Sequence, residues 1–210
     1  EMNLTGAAYP NREQRVNFIN RAVEEMAATP GVGACAATSL LPIREGWPHN
    51  FYRKDQGPPS DKSQWKKLGT RAVGPGYHQT YGIPLLRGRE IDSRDVWTSE
   101  RVVMVNQAFA NLEYPDGDVL DKLINISGID YRVIGVFDDF KNRGLTKKAA
   151  PEANVPLAQW PHADALSVFL TVRSDNNPKG LQPIVSEKIR KLNPDQPLNG
   201  FIVMQQIIDA

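Results

Sequence analysis

The stretch from Val73 to Asn106 most constrains what this chain can fold into. Gly74, Pro75, Gly76, Gly82, Pro84 and Gly88 crowd into its first half, ahead of the apolar run from Val102 to Val105. Each glycine permits backbone angles that other residues avoid, and each proline fixes φ and removes a donor. The chain therefore has to turn several times over a short length before it enters a buried strand. No row of catalytic side chains accompanies these turns, so a scaffold is the first expectation.

Length and charge narrow the classes that remain. At 210 residues the chain can form one large or two small domains, each with its own core. With 25 Lys+Arg against 24 Asp+Glu, the net charge of +1 supplies no general attraction for nucleic acid or an anionic membrane surface. Aromatic residues do not interleave with a basic stripe, so nucleic acid is not an expected partner. The longest apolar runs, at 40–43 and 102–105, fall far short of the ~20 residues that cross a bilayer. The chain opens at Glu1 without a leader-like segment and reads as a processed or excised fragment. Cys35 is the only cysteine, so no internal disulfide can form. Its neighbours Gly33, Ala34, Ala36 and Ala37 favour a buried packing thiol over a nucleophile.

The two ends carry similar patterns. Asn11 with Gln14 forms a capping signal for a helix whose apolar face is Val16, Ile19, Val23, Met26 and Ala27. Thr29-Pro30-Gly31 ends it, and a small-residue strand over 32–41 follows. At the other end, alternation predicts a strand over 166–173, then a helix through Leu181, Ile184, Val185, Ile189 and Leu192, and a strand over 198–204. The first unit lacks a clear leading strand, which is absent or reduced to 3–9. Two such units pack naturally into a split-βαβ sheet. Between them, residues 44–64 read as a linker or a long hairpin arm. Strands are expected at 68–73, 102–105, 122–127 and 131–137, a helical turn at 77–81 and a short helix at 107–112, with Ser127-Gly128-Ile129-Asp130 as a hairpin turn. The expected organisation is a discontinuous lobe of residues 1–65 plus 161–210, with residues 66–160 inserted as a mixed α/β lobe.

Site motifs are largely missing. Gly31-Val32-Gly33-Ala34-Cys35-Ala36 satisfies GxGxxA, but it follows a helix and precedes a strand, the reverse of a dinucleotide site. There is no GxxxxGK[ST], so this piece alone has no ATP-hydrolysing loop, and no GxSxG marks a nucleophile elbow. His49, His78 and His162 lack a second ligand at metal-motif spacing and read as surface or loop residues. Asp138-Asp139 is the best acidic pair for cation or acid/base work, and a structural role capping a turn toward Lys141-Asn142-Arg143-Gly144 outweighs it. The triplets at Asn3 and Asn125 match a glycosylation acceptor, a pattern common by chance. The expected catalytic, cofactor-binding and metal-ligating residues are therefore none.

Several segments in order resemble the MacB-type periplasmic core domain of FtsX-like ABC transporter permeases, in particular the duplicated permeases of soil bacteria. They are Thr29-Pro30-Gly31-Val32, Ala36 through Pro42, Val73-Gly74-Pro75-Gly76-Tyr77, Gly82 through Arg89, and Asp95. Further along come Val102 through Ala110, Tyr131 through Asp139, Val155-Pro156-Leu157-Ala158-Gln159, and Met204-Gln205-Gln206-Ile207. The chain departs from the pattern at His78, where an aromatic is usual, at Asp121, where glycine is common, and at Asn154, where tyrosine is usual; residues 111–115 run one residue short.

The resemblance implies an α+β fold, with a split-βαβ porter-like lobe made by both chain ends and an inserted Sabre-like lobe. It implies a periplasmic location, on the extracytoplasmic face of the bacterial cytoplasmic membrane, between two membrane helices. It also implies mechanical work without an enzyme site or cofactor. The partners it implies are a cytoplasmic ATPase subunit acting through the membrane helices and a second permease copy or a periplasmic protein. The alternative is a free-standing periplasmic module that captures a peptide or small molecule between its lobes, for which Trp47, Phe51, Tyr52 and Trp65 would be the binding aromatics.

Overall fold

Asn11 starts the first helix as its composition predicts. Its backbone is extended and its side-chain oxygen accepts the Gln14 backbone N–H at 2.9 Å, which satisfies one of the orphan donors of helix α1 (Arg12–Ala27). The computed structural model describes residues 1–4, 8–42, 46–140, 149–161, 166–174 and 180–204. The buried face of α1 is Arg15, Phe18, Ile19, Ala22 and Met26. Of the expected stripe, Ile19 and Met26 are buried, Val16 and Val23 are half-buried, and Ala27 is exposed. The face is rotated because Phe18 packs on Tyr9, with ring centroids 4.9 Å apart, and because helix α4 (Leu181–Leu192) lies alongside, tied by Lys188 Nζ to Glu25.

These helices cover strands β1 (Met2–Leu4), β2 (Val32–Thr38) and β10 (Leu166–Ser174), which lie in the order β1-β10-β2. Both β1 and β2 are antiparallel to β10, so they run in the same direction with β10 between them and α1 as the crossover. The strand expected over 198–204 does not form among the described residues. Instead Glu1 and Asn199 exchange backbone hydrogen bonds of 3.1 and 2.9 Å, the signature of a single antiparallel pair. Pro197 has no donor to extend that ladder, and Gly200 turns the chain away at φ 73°.

The middle of the chain closes on itself. Strands β3 (Trp47–Arg53), β4 (Lys66–Val73), β6 (Val102–Asn106), β7 (Leu123–Ile126), β8 (Ile129–Phe137) and β9 (Glu152–Pro156) follow the order β4-β3-β7-β8-β6-β9. Strand β9 also pairs in parallel with β4, from Gly69↔Glu152 to Val73↔Pro156, so the ring closes as a six-stranded barrel. Closure removes exposed ladder edges. Strand β5 (Leu85–Gly88), in a stretch read only as turns, pairs with the end of β8. The β7–β8 turn places Ser127 at φ 49° and Gly128 at φ 91°, the positive pair that a two-residue hairpin needs.

Side chains on the ring strands alternate between two cores. Val103 and Val105 join Phe51, Leu68, Val133 and Val155 in one cluster with Phe109 of helix α3 (Gln107–Glu113). Met104 points the other way, into a cluster with Val73, Phe137, Ile83, Ile91 and Tyr77 of helix α2 (Tyr77–Tyr81). Two glycines permit the crossing of β5 over β8: a Cβ on Gly88, at φ 77°, would stand 2.2 Å from the Ile134 carbonyl oxygen, and one on Gly135 would stand 2.4 Å from that of Arg89. Asp121, where the resembled pattern has glycine, adopts φ 62°, a left-handed angle that Asp tolerates better than most residues.

Candidate functional site

Among the described residues, ladder pairing between the terminal sheet and the barrel amounts to one position, Thr38↔Val73. Around it, Thr38 Oγ1 donates to the Ala72 carbonyl at 3.1 Å, the Gly74 N–H donates to the Ala37 carbonyl at 2.8 Å, and Arg71 Nη1 donates to the Leu40 carbonyl at 2.6 Å. Helix α2 bridges the same junction. Gly76 and Gly82, both left-handed, flank it as caps, and the Tyr81 hydroxyl meets Thr171 Oγ1 of β10 at 2.6 Å. Burial pushes the Tyr81 hydroxyl up to about 12.

On the other flank, Trp97 lies between two guanidinium groups. Arg12, the first residue of α1, and Arg101 each place their guanidinium carbon 3.6 Å from the Trp97 ring centroid. Two groups at that distance cannot share one face, so the ring is sandwiched between them. Arg12 also donates to the carbonyls of Trp160 and Pro161. A small solvent-open crevice of about 30 Å³ lies near this stack, with Val16 and Ile19 of α1 on one wall and Pro75, Ile91, Val96 and Leu157 on the other.

The loop that carries Trp97 is held firmly. Buried Asp95 receives Arg89 in a two-pronged contact at 2.9 and 2.8 Å and also accepts the Asp92 N–H. Gln159, fully buried, accepts the Val102 N–H and donates to the carbonyls of Val96 and Glu100. Asn106 likewise uses its whole amide: its oxygen accepts from Phe109 and Glu152, and its nitrogen donates to Asp139 and Ala150. Asp95, Asn106 and Gln159, which the sequence pattern singles out, are therefore fixing loops to strands.

Between α2 and the outer barrel wall lies a buried polar chain. His78, 1% exposed, sets Nδ1 2.6 Å from Glu90 Oε2 and Nε2 3.0 Å from the Asn154 amide. Asn154 in turn faces Glu152, and Glu152 accepts Arg71 Nε at 3.0 Å. The ring of His78 lies 4.7 Å from that of Phe137. The two departures at His78 and Asn154 thus touch each other, and a polar contact stands where the resembled pattern has aromatics.

Other sequence expectations divide. His78 is neither a surface nor a loop residue, because α2 turns it onto the barrel wall; His49 is half-buried near Trp160, and His162 lies outside the described residues. Asp139 Oδ1 accepts the Ala108 N–H and the Asn106 side chain, so it caps the start of α3, while 141–144 lie outside the described residues. Cys35 is buried in β2 and burial pushes its thiol up to about 12, which suppresses the thiolate. Gly31 stands between α1 and β2 and Gly33 lies within β2, the wrong order for cradling phosphate. Among the described residues no three or more His, Cys, Asp or Glu side chains gather as a metal site, and no helix is long and apolar enough to cross a membrane. The four proposed binding aromatics do not converge: Phe51 is buried against Phe109, Tyr52 pairs with Trp65 edge-on at 5.6 Å, and Trp47 is exposed. Sequence reading missed Arg12, Trp97 and Arg101; an arginine just after an N-cap and a tryptophan beside an arginine carry no local signal that they will meet.

Comparison with known proteins gives consistent matches. A family model described as MacB-like periplasmic core domain matches residues 21–187. An uncharacterized ABC transporter permease, YvrN of Bacillus subtilis (strain 168), is 32% identical over 93 residues, which cover 42% of this chain and 22% of that protein. The matched stretch is thus less than a quarter of that permease. The periplasmic region of MacB from Actinobacillus actinomycetemcomitans superposes with a TM-score of 0.61 at 15% identity, covering 99% of this chain and 91% of the other. The extracellular domain of the noncanonic ABC-type transporter YknZ from Gram-positive bacteria gives 0.55 at 14% identity, covering 84% and 82%. At such identities these structures speak for a shared α+β fold alone.

Proposed function

Because the chain belongs to the MacB-like periplasmic core domain family of FtsX-like ABC transporter permeases, we propose that it couples remote ATP hydrolysis to the handling of a substrate or partner outside the membrane. Family membership supports reading it as an extracytoplasmic domain of a permease. The observation that carries the mechanical reading is the junction, where ladder pairing among the described residues is the single position Thr38↔Val73, flanked by side-chain ties on both sides and by a buried apolar cluster that runs through both units. A joint of this kind lets two folded units tilt while each keeps its own hydrogen bonds.

In this reading the terminal unit, with its split-βαβ arrangement, is the porter-like lobe and the barrel is the Sabre-like lobe. The pairing of β3 with both β4 and β7 favours assigning β3 to the barrel side, which moves the first boundary from residue 65 to just before Trp47. The partners are a cytoplasmic ATPase reached through membrane helices of the full-length permease, and a second permease copy or a periplasmic protein at the outer face. The test uses the full-length protein in cells. A tag inserted at Gly117, where added atoms meet nothing within 4 Å, should be reached by antibody from outside the cytoplasmic membrane, and an ATPase subunit should copurify. A tag reached only from the cytoplasm would contradict the assignment.

A further inference from the structure

We propose that Asn199 is a self-modification site, where the main-chain nitrogen of Gly200 displaces the side-chain amide and converts the residue to isoaspartate or aspartate. Of the asparagines in the sequence, Asn199 alone is followed by glycine. The reaction needs a reachable amide carbon, an uncommitted N–H on the next residue and a backbone that can bring the two together. Asn199 and Gly200 are both exposed, and among the described residues neither the Asn199 side chain nor the Gly200 N–H is hydrogen-bonded. Gly200 stands at φ 73° with nothing within 4 Å of the place a Cβ would take, so no side chain and no neighbour obstructs the approach.

The atoms balance without an oxidant or a reductant. The Gly200 nitrogen gives up its proton to solvent and bonds to Asn199 Cγ, the bond from Cγ to the amide nitrogen breaks, and ammonia leaves a cyclic imide. Water then opens the ring at either carbonyl: at the main-chain carbonyl the product is isoaspartate, at the side-chain carbonyl aspartate. One water enters, one ammonia departs, and the formal net charge drops by one unit from +1. Other positions are obstructed. Asp116-Gly117 has the same spacing, but the Gly117 N–H already donates to the Tyr114 carbonyl at 3.3 Å, and a carboxylate is a poorer electrophile than an amide. Asn125 is buried with its amide held by Asp130 and the Gly128 N–H, and Asn193 precedes Pro194, which has no N–H to attack with. The place gives the change a consequence. Asn199 exchanges backbone hydrogen bonds with Glu1 next to β1, so in the isoaspartate form the segment from Gly200 onward leaves that pair one main-chain atom longer and beside a new carboxylate. Nothing in this rests on the permease assignment.

The experiment is peptide mapping by mass spectrometry of the folded 210-residue chain held at mildly alkaline pH, with isoaspartate and aspartate peptides separated by chromatography. Asn199 should be the first asparagine lost, with isoaspartate among the products, since direct hydrolysis of the amide gives aspartate alone. The loss should slow about two- to fivefold or more in Gly200→Ala, whose Cβ narrows the backbone angles open to ring closure. Asn199→Gln, which would have to close a larger ring, should keep its starting charge over the same interval. Both positions are exposed, so neither variant disturbs the core. Loss at Asn199 no faster than at the other asparagines overturns the proposal. So does aspartate as the only product, or an equal rate in Gly200→Ala.

Discussion

In the barrel every strand of the ring has partners on both sides, because β9 returns to β4. In the terminal sheet β1 has a three-residue ladder with β10 on one side and, among the described residues, the Glu1–Asn199 backbone pair on the other. The barrel is held by strand pairing that ends nowhere, and it tolerates almost no change where β5 crosses β8. The terminal unit leans on helices, with Met26 of α1 and Ile189 of α4 among its fully buried contributors. One region is therefore specified by backbone approach and the other by side-chain packing, and the two should fail differently.

The largest effect should come from Gly88→Val. The new Cβ would fall 2.2 Å from the Ile134 carbonyl at a φ of 77°, which L residues avoid. A loss of about 4 kcal/mol or more is expected in denaturant unfolding. A folded variant of normal stability would show that the crossing does not constrain the barrel. Next is Ile189→Ala, a cavity under the helices that should cost about 2–4 kcal/mol. Hydrogen exchange should then speed up in β1, β10, α1 and α4 and stay slow in the barrel strands. Uniform acceleration would mean the two regions form one cooperative unit.

Arg12→Ala probes the junction itself. Losing one face of the Trp97 sandwich and the donations to 160 and 161 should cost about 1–2 kcal/mol. Acrylamide quenching of tryptophan emission should rise, and unchanged quenching would show that Arg12 does not shield the ring. The smallest effect concerns Asp92, whose carboxyl is held down to about 2 chiefly by its hydrogen bond from the Arg94 side chain. A depressed carboxyl contributes stability above its unfolded value of 3.8 and loses that contribution as pH falls through about 2. Because the group is part exposed, Asp92→Asn should alter only the acid end of a stability profile, and a change at neutral pH would contradict this.

Much of the helical and hairpin structure was legible because its signals are local. The Asn11 cap, the glycine pair around Tyr77 to Tyr81 and the Ser127-Gly128 turn each act over a few residues. Barrel closure was not legible, since the parallel pairing of β4 with β9 joins positions about eighty residues apart and leaves no local trace. β5 was hidden among the glycines that let it approach β8, and the strand expected at 198–204 was lost to Pro197 and Gly200. Of the candidate site, the departures at His78 and Asn154 were visible, but only the fold brings them within 3.0 Å.

The most direct test of the two-lobe account is a distance between spin labels at Asn17 on α1 and Asp116 between α3 and β7, both exposed, measured in the full-length permease with the proposed ATPase subunit. Buried Cys35 should stay unlabelled. The account predicts that the distance shifts by more than about 2 Å when ATP binds, while label pairs within either lobe keep theirs. An inter-lobe distance unchanged through the ATP cycle would contradict it.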